Sequence, residues 1–113
     1  MSKRPYINFL FDIKEAILRI SAYTEPLSYE QFLQDRKSQD AVVHNLEIIG
    51  EAAKNISEKL KKECPQICWK DLARLRDKLI HHYFGVNFDI VWEVVKEELP
   101  DVLLQLENIL KIE

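Results

Sequence analysis

The segment Arg76-Asp-Lys-Leu-Ile-His-His-Tyr-Phe-Gly85 carries three side chains of complementary chemistry. His81 is of the one side-chain type whose unperturbed pKa lets it take and give a proton near neutral pH. Arg76 offers a permanent charge and a planar fork of donors that matches phosphate oxygens. Tyr83 adds a phenolic hydroxyl for positioning. The set suits metal-free cleavage of an RNA phosphodiester, in which a base activates the 2′-hydroxyl and a cation stabilises the charged phosphorane. A purely structural reading competes with it: Arg76 paired with a buried glutamate, His81 capping a helix C-terminus as a cation, Tyr83 filling the core. His82 is open in the same way, as an exposed neighbour or a participant.

Spacing constrains how these residues meet. On a continuous helix Leu72, Leu75, Leu79 and Tyr83 fall on one apolar stripe, with Arg76 inside it. A guanidinium there must be paired, line a wet cleft or await an anion, because an unpaired buried charge is costly. His81, five positions after Arg76, points well away from both Arg76 and Tyr83. One ideal helix therefore cannot build the site. Either the helix ends or distorts around His81 to Tyr83, or a second copy of the chain completes the cleft, and the two are compatible.

The elements that must hold this segment are helical. Pro5 suits a first helical turn, and Tyr6, Leu10, Ile13, Ile17 and Ile20 then recur at helical spacing until Thr24 to Pro26. Ser28 and Gln31 form a capping-box pattern for a short helix carrying Tyr29, Phe32 and Leu33 as a lid on the core. From an N-cap at Asp35 to Lys61, Val42, Leu46, Ile49, Ala53, Ile56 and Leu60 predict a long second helix. Within it, Gly50 beside Ala52 and Ala53 implies close approach of another helix. Pro65 ends that run, Trp69 to about His82 is the expected third helix, and Gly85 is its expected stop. Asn87 caps a fourth, in which Phe88, Val91, Trp92, Val95 and Leu99 lead to Val102, Leu106 and Ile109 across a kink or restart at Pro100. No strand is expected. The sum is an all-α antiparallel bundle with a four-helix core, a short extra helix and a kinked C-terminal helix, in one domain over residues 1–113.

Bulk composition narrows the function classes. At 113 residues, 47% of them hydrophobic and 31% charged, the chain can bury one core without metals or disulfides. The formal net charge of −3 argues against a protein that coats nucleic acid through a broad basic surface, though not against a small basic site. Cys64 and Cys68 stand four apart, which fits neither a Cys-x-x-Cys redox pair nor half a zinc site, and they read as reduced thiols. No signal peptide and no apolar run of membrane-spanning length is present, so a cytoplasmic location is expected. On the face of the second helix opposite its stripe lie His44, Glu47 and Glu51. They read as a solvated or subunit-facing surface or as acidic partners for Arg76, and no second cluster completes a metal site; no metal or cofactor is expected.

The residues also resemble a known family. Arg76-x4-His81-x-Tyr83 is similar to the Arg-x4-His-x-Tyr motif of the HepT-like toxins, a branch of the HEPN superfamily, where a polar residue often follows the arginine, as Asp77 does here. Asn45-Leu-Glu-Ile-Ile-Gly-Glu-Ala52 and Tyr83-Phe-Gly-Val-Asn-Phe-Asp-Ile-Val-Trp92 look like two further blocks of the family, so the likeness runs from the second helix onward. His82 departs from the small residue, often glycine, found at that position. The resemblance implies a helical homodimer, open to further assembly, with the motif near the subunit interface. It also implies a metal-independent endoribonuclease toxin of a type II/VII-like toxin–antitoxin pair, with Arg76 and His81 catalytic; Asp77 beside the arginine and Glu47 and Glu51 on the second helix are the candidate supporting residues. The implied partner is a small nucleotidyltransferase antitoxin that silences the toxin by transferring AMP to Tyr83. Two other readings stand beside it: a non-catalytic helical subunit that binds a nucleotide or a nucleotidyltransferase, and a structural dimer in which Glu47 or Glu51 bridges Arg76.

Overall fold

The computed structural model describes the backbone of residues 6–81 and 85–112 and the side chains of 7–79 and 85–111. Helix α1 (Tyr6–Thr24) buries Leu10, Ile13, Ala16, Ile17 and Ile20 on one stripe, as the heptad-like spacing predicts. Its end is satisfied locally, for the buried Thr24 Oγ1 donates to the carbonyl of Ile20 at 2.9 Å. The capping box then forms: Ser28 Oγ accepts from Gln31 N, and Gln31 Oε1 accepts from Ser28 N. It opens α2 (Tyr29–Gln34), whose fully buried Phe32 packs on Trp92 at 5.1 Å and edge-on to Phe88 at 5.9 Å. This short helix does act as a lid, and the aromatic contacts tie it to the far end of the chain.

Helix α3 (Arg36–Lys54) lies against α1 in the most extensive helix contact of the molecule. Asp35 is its N-cap, accepting from both the N–H and the Oγ of Ser38, and those two hydrogen bonds hold the Asp35 carboxyl below the usual carboxylate range. Val42, Leu46, Ile49 and Ala53 are buried as expected. Asn45 is buried among them; its Nδ2 donates to Ala41 O at 2.8 Å, whereas its Oδ1 has no hydrogen-bond partner.

The long second helix predicted to Lys61 ends instead at Lys54. Asn55 leaves helical angles and its side chain takes up the Glu51 carbonyl at 2.9 Å, and Ser57 caps a separate α4 (Glu58–Glu63) by accepting from Leu60 N. Ile56 and Leu60 are buried all the same, which is why the apolar stripe ran on across the break. Trp69 anchors the next turn, donating from Nε1 to the Cys64 carbonyl at 3.0 Å. Cys64 is buried and Cys68 exposed, and they are not joined in a disulfide.

The third predicted helix is also two. Helix α5 (Trp69–Ala73) stops at Arg74, and α6 (Leu75–Leu79) follows immediately. Beyond Leu79 the chain is extended, in a minimal antiparallel ladder of β1 (Ile80–His81) with β2 (Gly85–Val86), which the sequence did not announce. Asn87 then caps α7 (Phe88–Glu93) by accepting from Asp89 N and Ile90 N.

At Pro100 the expected kink takes a particular form. Residues Val94–Glu98 make a π-helical segment, where the Leu99 N–H reaches back five residues to the Val94 carbonyl, and α8 (Leu99–Ile112) continues from it. A proline in an α-helix lacks one donor and collides with the preceding turn, and a widened turn relieves both problems. Val91, Val95 and Leu99 recur every four residues through this segment and all stay buried, as do Leu106 and Ile109 beyond it. Among the described residues the fold is thus an all-α bundle carrying one two-residue strand pair, and no helix is long and apolar enough to cross a membrane.

Candidate functional site

The site grows from one glycine. A Cβ on Gly50 would lie 3.3 Å from the Leu72 carbonyl and 3.7 Å from that of Ala73, so α3 and α5 touch backbone to backbone there. The close approach predicted from Gly50 is real, and its partner is the segment leading into Arg76. Gly50 and Ala73, with Ile48, line an open groove of about 320 Å³ between the two segments. Glu47, Glu51 and Lys54 stand on its α3 wall with His44, and Arg76 on the other.

Arg76 does not sit inside a buried stripe. Leu72, Leu75 and Leu79 are buried, but the Arg76 side chain is 71% exposed. Within α6, at about 100° per residue, Arg76 is turned about 100° from Leu75 and about 60° from Leu79, which places it on the flank of the apolar face. The break at Arg74 removes the continuous helix on which it was read as interior. Its Nε lies 3.8 Å from Glu47 Oε2, so the acidic partner expected from α3 is Glu47. Glu51 shares the groove without pairing with Arg76. A contact of that length through Nε leaves the two terminal guanidinium nitrogens available to a phosphate.

The helix ends before His81. Asn87 N donates to the Leu79 carbonyl at 2.8 Å, taking the acceptor that another helical turn would have used. His81 pairs with Gly85 in the ladder, and Gly85, at φ +74°, adopts the left-handed conformation that glycine takes without penalty. The helix thus ends at Leu79, as one of the two geometric solutions to the Arg76–His81 spacing requires, and it ends six residues before its expected stop at Gly85. The His81 side chain, His82 and Tyr83 lie outside the described residues.

Two more residues frame the segment. Asp77 is exposed beside Arg76, and Lys78 pairs with Glu98 at 3.2 Å, tying α6 to the π-helical segment. Lys54, which the acidic pattern of this helix face conceals, lies seven residues after Glu47 and three after Glu51 on the same face. Among the described residues no three His, Cys, Asp or Glu side chains converge as a metal site, so His44, Glu47 and Glu51 share a groove without forming one.

The chain is thus a helical bundle in which an arginine stands at an open groove three residues before its helix ends, with a histidine two residues after that end. Residues 13–109 match the family model described as Ribonuclease HepT-like, and the chain belongs to that family of ribonucleases. It is 47% identical to a protein of Thermococcus cleftensis named "Probable ribonuclease HepT", over 96% of this chain and 99% of the relative. It is 45% identical to a Methanocaldococcus jannaschii protein named "Putative RNase MJ0127", over 98% of this chain and 92% of the relative. No solved structure matches it.

Proposed function

We propose that this chain is a metal-independent endoribonuclease and the toxin of a type II/VII-like toxin–antitoxin pair. His81 accepts the proton of a ribose 2′-hydroxyl, whose oxygen attacks the adjacent phosphorus; the bond to the 5′-oxygen breaks and that oxygen takes up a proton, leaving a 2′,3′-cyclic phosphate and a free 5′-hydroxyl. Arg76 stabilises the charge that builds on the non-bridging oxygens. Glu47 supports Arg76, and Asp77 and Glu51 flank it. The observation that carries the reading is the end of the helix at Leu79, which frees His81 from the helical geometry that would turn it away from Arg76.

The reading extends to control and assembly. A nucleotidyltransferase antitoxin transfers AMP to Tyr83, which puts phosphate charge and a nucleobase where RNA must enter and so blocks it. The working unit is a homodimer with the two motif segments near the two-fold axis. Family membership and the ordered Arg76, His81, Tyr83 motif support these roles. The test is incubation of the purified chain with RNA in excess chelator. Cleavage by wild type and none by His81→Ala is expected; equal degradation by both would remove His81 from the chemistry.

A further inference from the structure

The groove holds more unpaired chemistry than one scissile phosphate requires. Arg76 has Glu47 as its neighbour, but the Glu51 carboxylate and the Lys54 ammonium, both exposed on the same wall, make no ion pair or side-chain hydrogen bond among the described residues. From Glu47 to Lys54 the helix rises about 10 Å, so the two cations, Arg76 and Lys54, bracket the groove with the Glu51 carboxylate between them. Its volume, about 320 Å³, is at the lower end of the range for small-ligand sites and suits one nucleotide unit, not a helical duplex. Two carboxylates against two cations also leave the groove near neutral, which disfavours indiscriminate phosphate binding and leaves selectivity to hydrogen bonds.

We infer that this groove is a nucleotide subsite for single-stranded RNA, in which Lys54 holds the phosphate next to the scissile one and Glu51 reads the intervening base, with guanine preferred. The inference rests on the ribonuclease reading for the identity of its ligand. A carboxylate offers acceptors alone, so it is matched by a base edge made of donors. Guanine presents two adjacent N–H donors on its Watson–Crick edge, whereas adenine and cytosine place an acceptor beside their amino group and uracil flanks its single donor with two carbonyls. Single-stranded bases are the ones whose Watson–Crick edge is free to be read. The small residues Gly50 and Ala73 and the apolar Ile48 line the same groove and offer the base an apolar surface between the charged side chains.

The test uses the full chain and a probe that cannot be cleaved: an all-2′-O-methyl oligoadenosine, with or without one central guanosine, followed by fluorescence anisotropy across a salt series. Wild type is expected to bind the guanosine probe about fivefold more tightly. Lys54→Ala weakens both probes about five- to tenfold and makes the slope of log K against log salt shallower by about 0.7, the contribution of one phosphate on a single strand. Lys54→Arg restores both. Glu51→Gln abolishes the guanosine preference while leaving the salt slope unchanged. Equal affinity and slope in wild type and Lys54→Ala would overturn the phosphate contact. A guanosine preference that is absent in wild type, or that survives Glu51→Gln, would overturn the base contact. Cleavage of unmodified RNA is scored separately through His81→Ala, so loss of the subsite and loss of the ribonuclease reading are told apart.

Discussion

Arg76 and Glu47 face each other across the groove between α6 and α3, Nε to Oε2 at 3.8 Å, while the arginine side chain stays 71% exposed. The pair is loose and wet, so its contribution to stability falls in the range of about 0–1 kcal/mol seen for surface ion pairs. An arginine held that lightly contributes little to the fold.

Arg76→Ala should therefore fold normally and fail as an enzyme. Its thermal midpoint is expected within a few degrees of wild type, and its RNA cleavage should fall by at least about a hundredfold, the scale for losing one charge-stabilising group. A mutant that unfolds would instead support the purely structural role for the arginine. Arg76→Lys keeps the charge but not the fork, and intermediate activity is expected of it.

Gly50→Val should damage both fold and site. A Cβ already meets the Leu72 carbonyl at 3.3 Å, and the opposing atom is backbone that cannot rotate aside. Overpacking of this kind costs about 1–3 kcal/mol, and pushing α5 from α3 moves Arg76 away from Glu47. Urea unfolding and cleavage, measured on the same preparation, should fall together; an unchanged midpoint would mean that the two helices have slack.

Phe32→Ala tests whether the short α2 belongs to the core. Phe32 is fully buried against Trp92 and Phe88, and deleting such a ring typically costs about 3–5 kcal/mol. A loss below about 1 kcal/mol by urea titration would show that α2 is a detachable flap.

Asp35 predicts part of the acid limb of stability. Its folded pKa is depressed below the ordinary 3.8 by the Ser38 N–H and hydroxyl, so its contribution is present above that value and is lost as pH falls through the lower, folded one. Asp35→Ala should lower the urea midpoint at neutral pH and show a smaller further drop between about pH 4 and pH 2. An acid limb identical to wild type would assign the transition to other carboxylates.

Local signals are legible in this sequence, and interruptions without a breaker are not. The caps at Ser28, Asp35 and Asn87 and the close approach at Gly50 each depend on neighbours within a few residues or on a missing side chain, and each is present. The end of α3 was hidden because Ile56 and Leu60 keep the apolar period across a turn. Asn55 and Ser57, a stop and a cap, were the signal that had been outweighed. At Arg74 neither glycine nor proline marks the break, and Leu72, Leu75 and Leu79 stay buried on both sides of it. Periodicity thus identified the buried leucines and misplaced the arginine at their margin. The short ladder at Ile80–His81 lay beyond reach because two residues are too few to show an alternation.

The backbone contact at Gly50 acts as a spacer of the smallest possible size. No side chain separates α3 from α5 there, so no change of rotamer at that point can alter how close the two helices come; their approach is fixed by van der Waals contact of Gly50 with the Leu72 and Ala73 carbonyls. Arg76, three residues beyond Ala73, inherits its distance from the α3 wall through that contact, and any residue larger than glycine at position 50 would reset it.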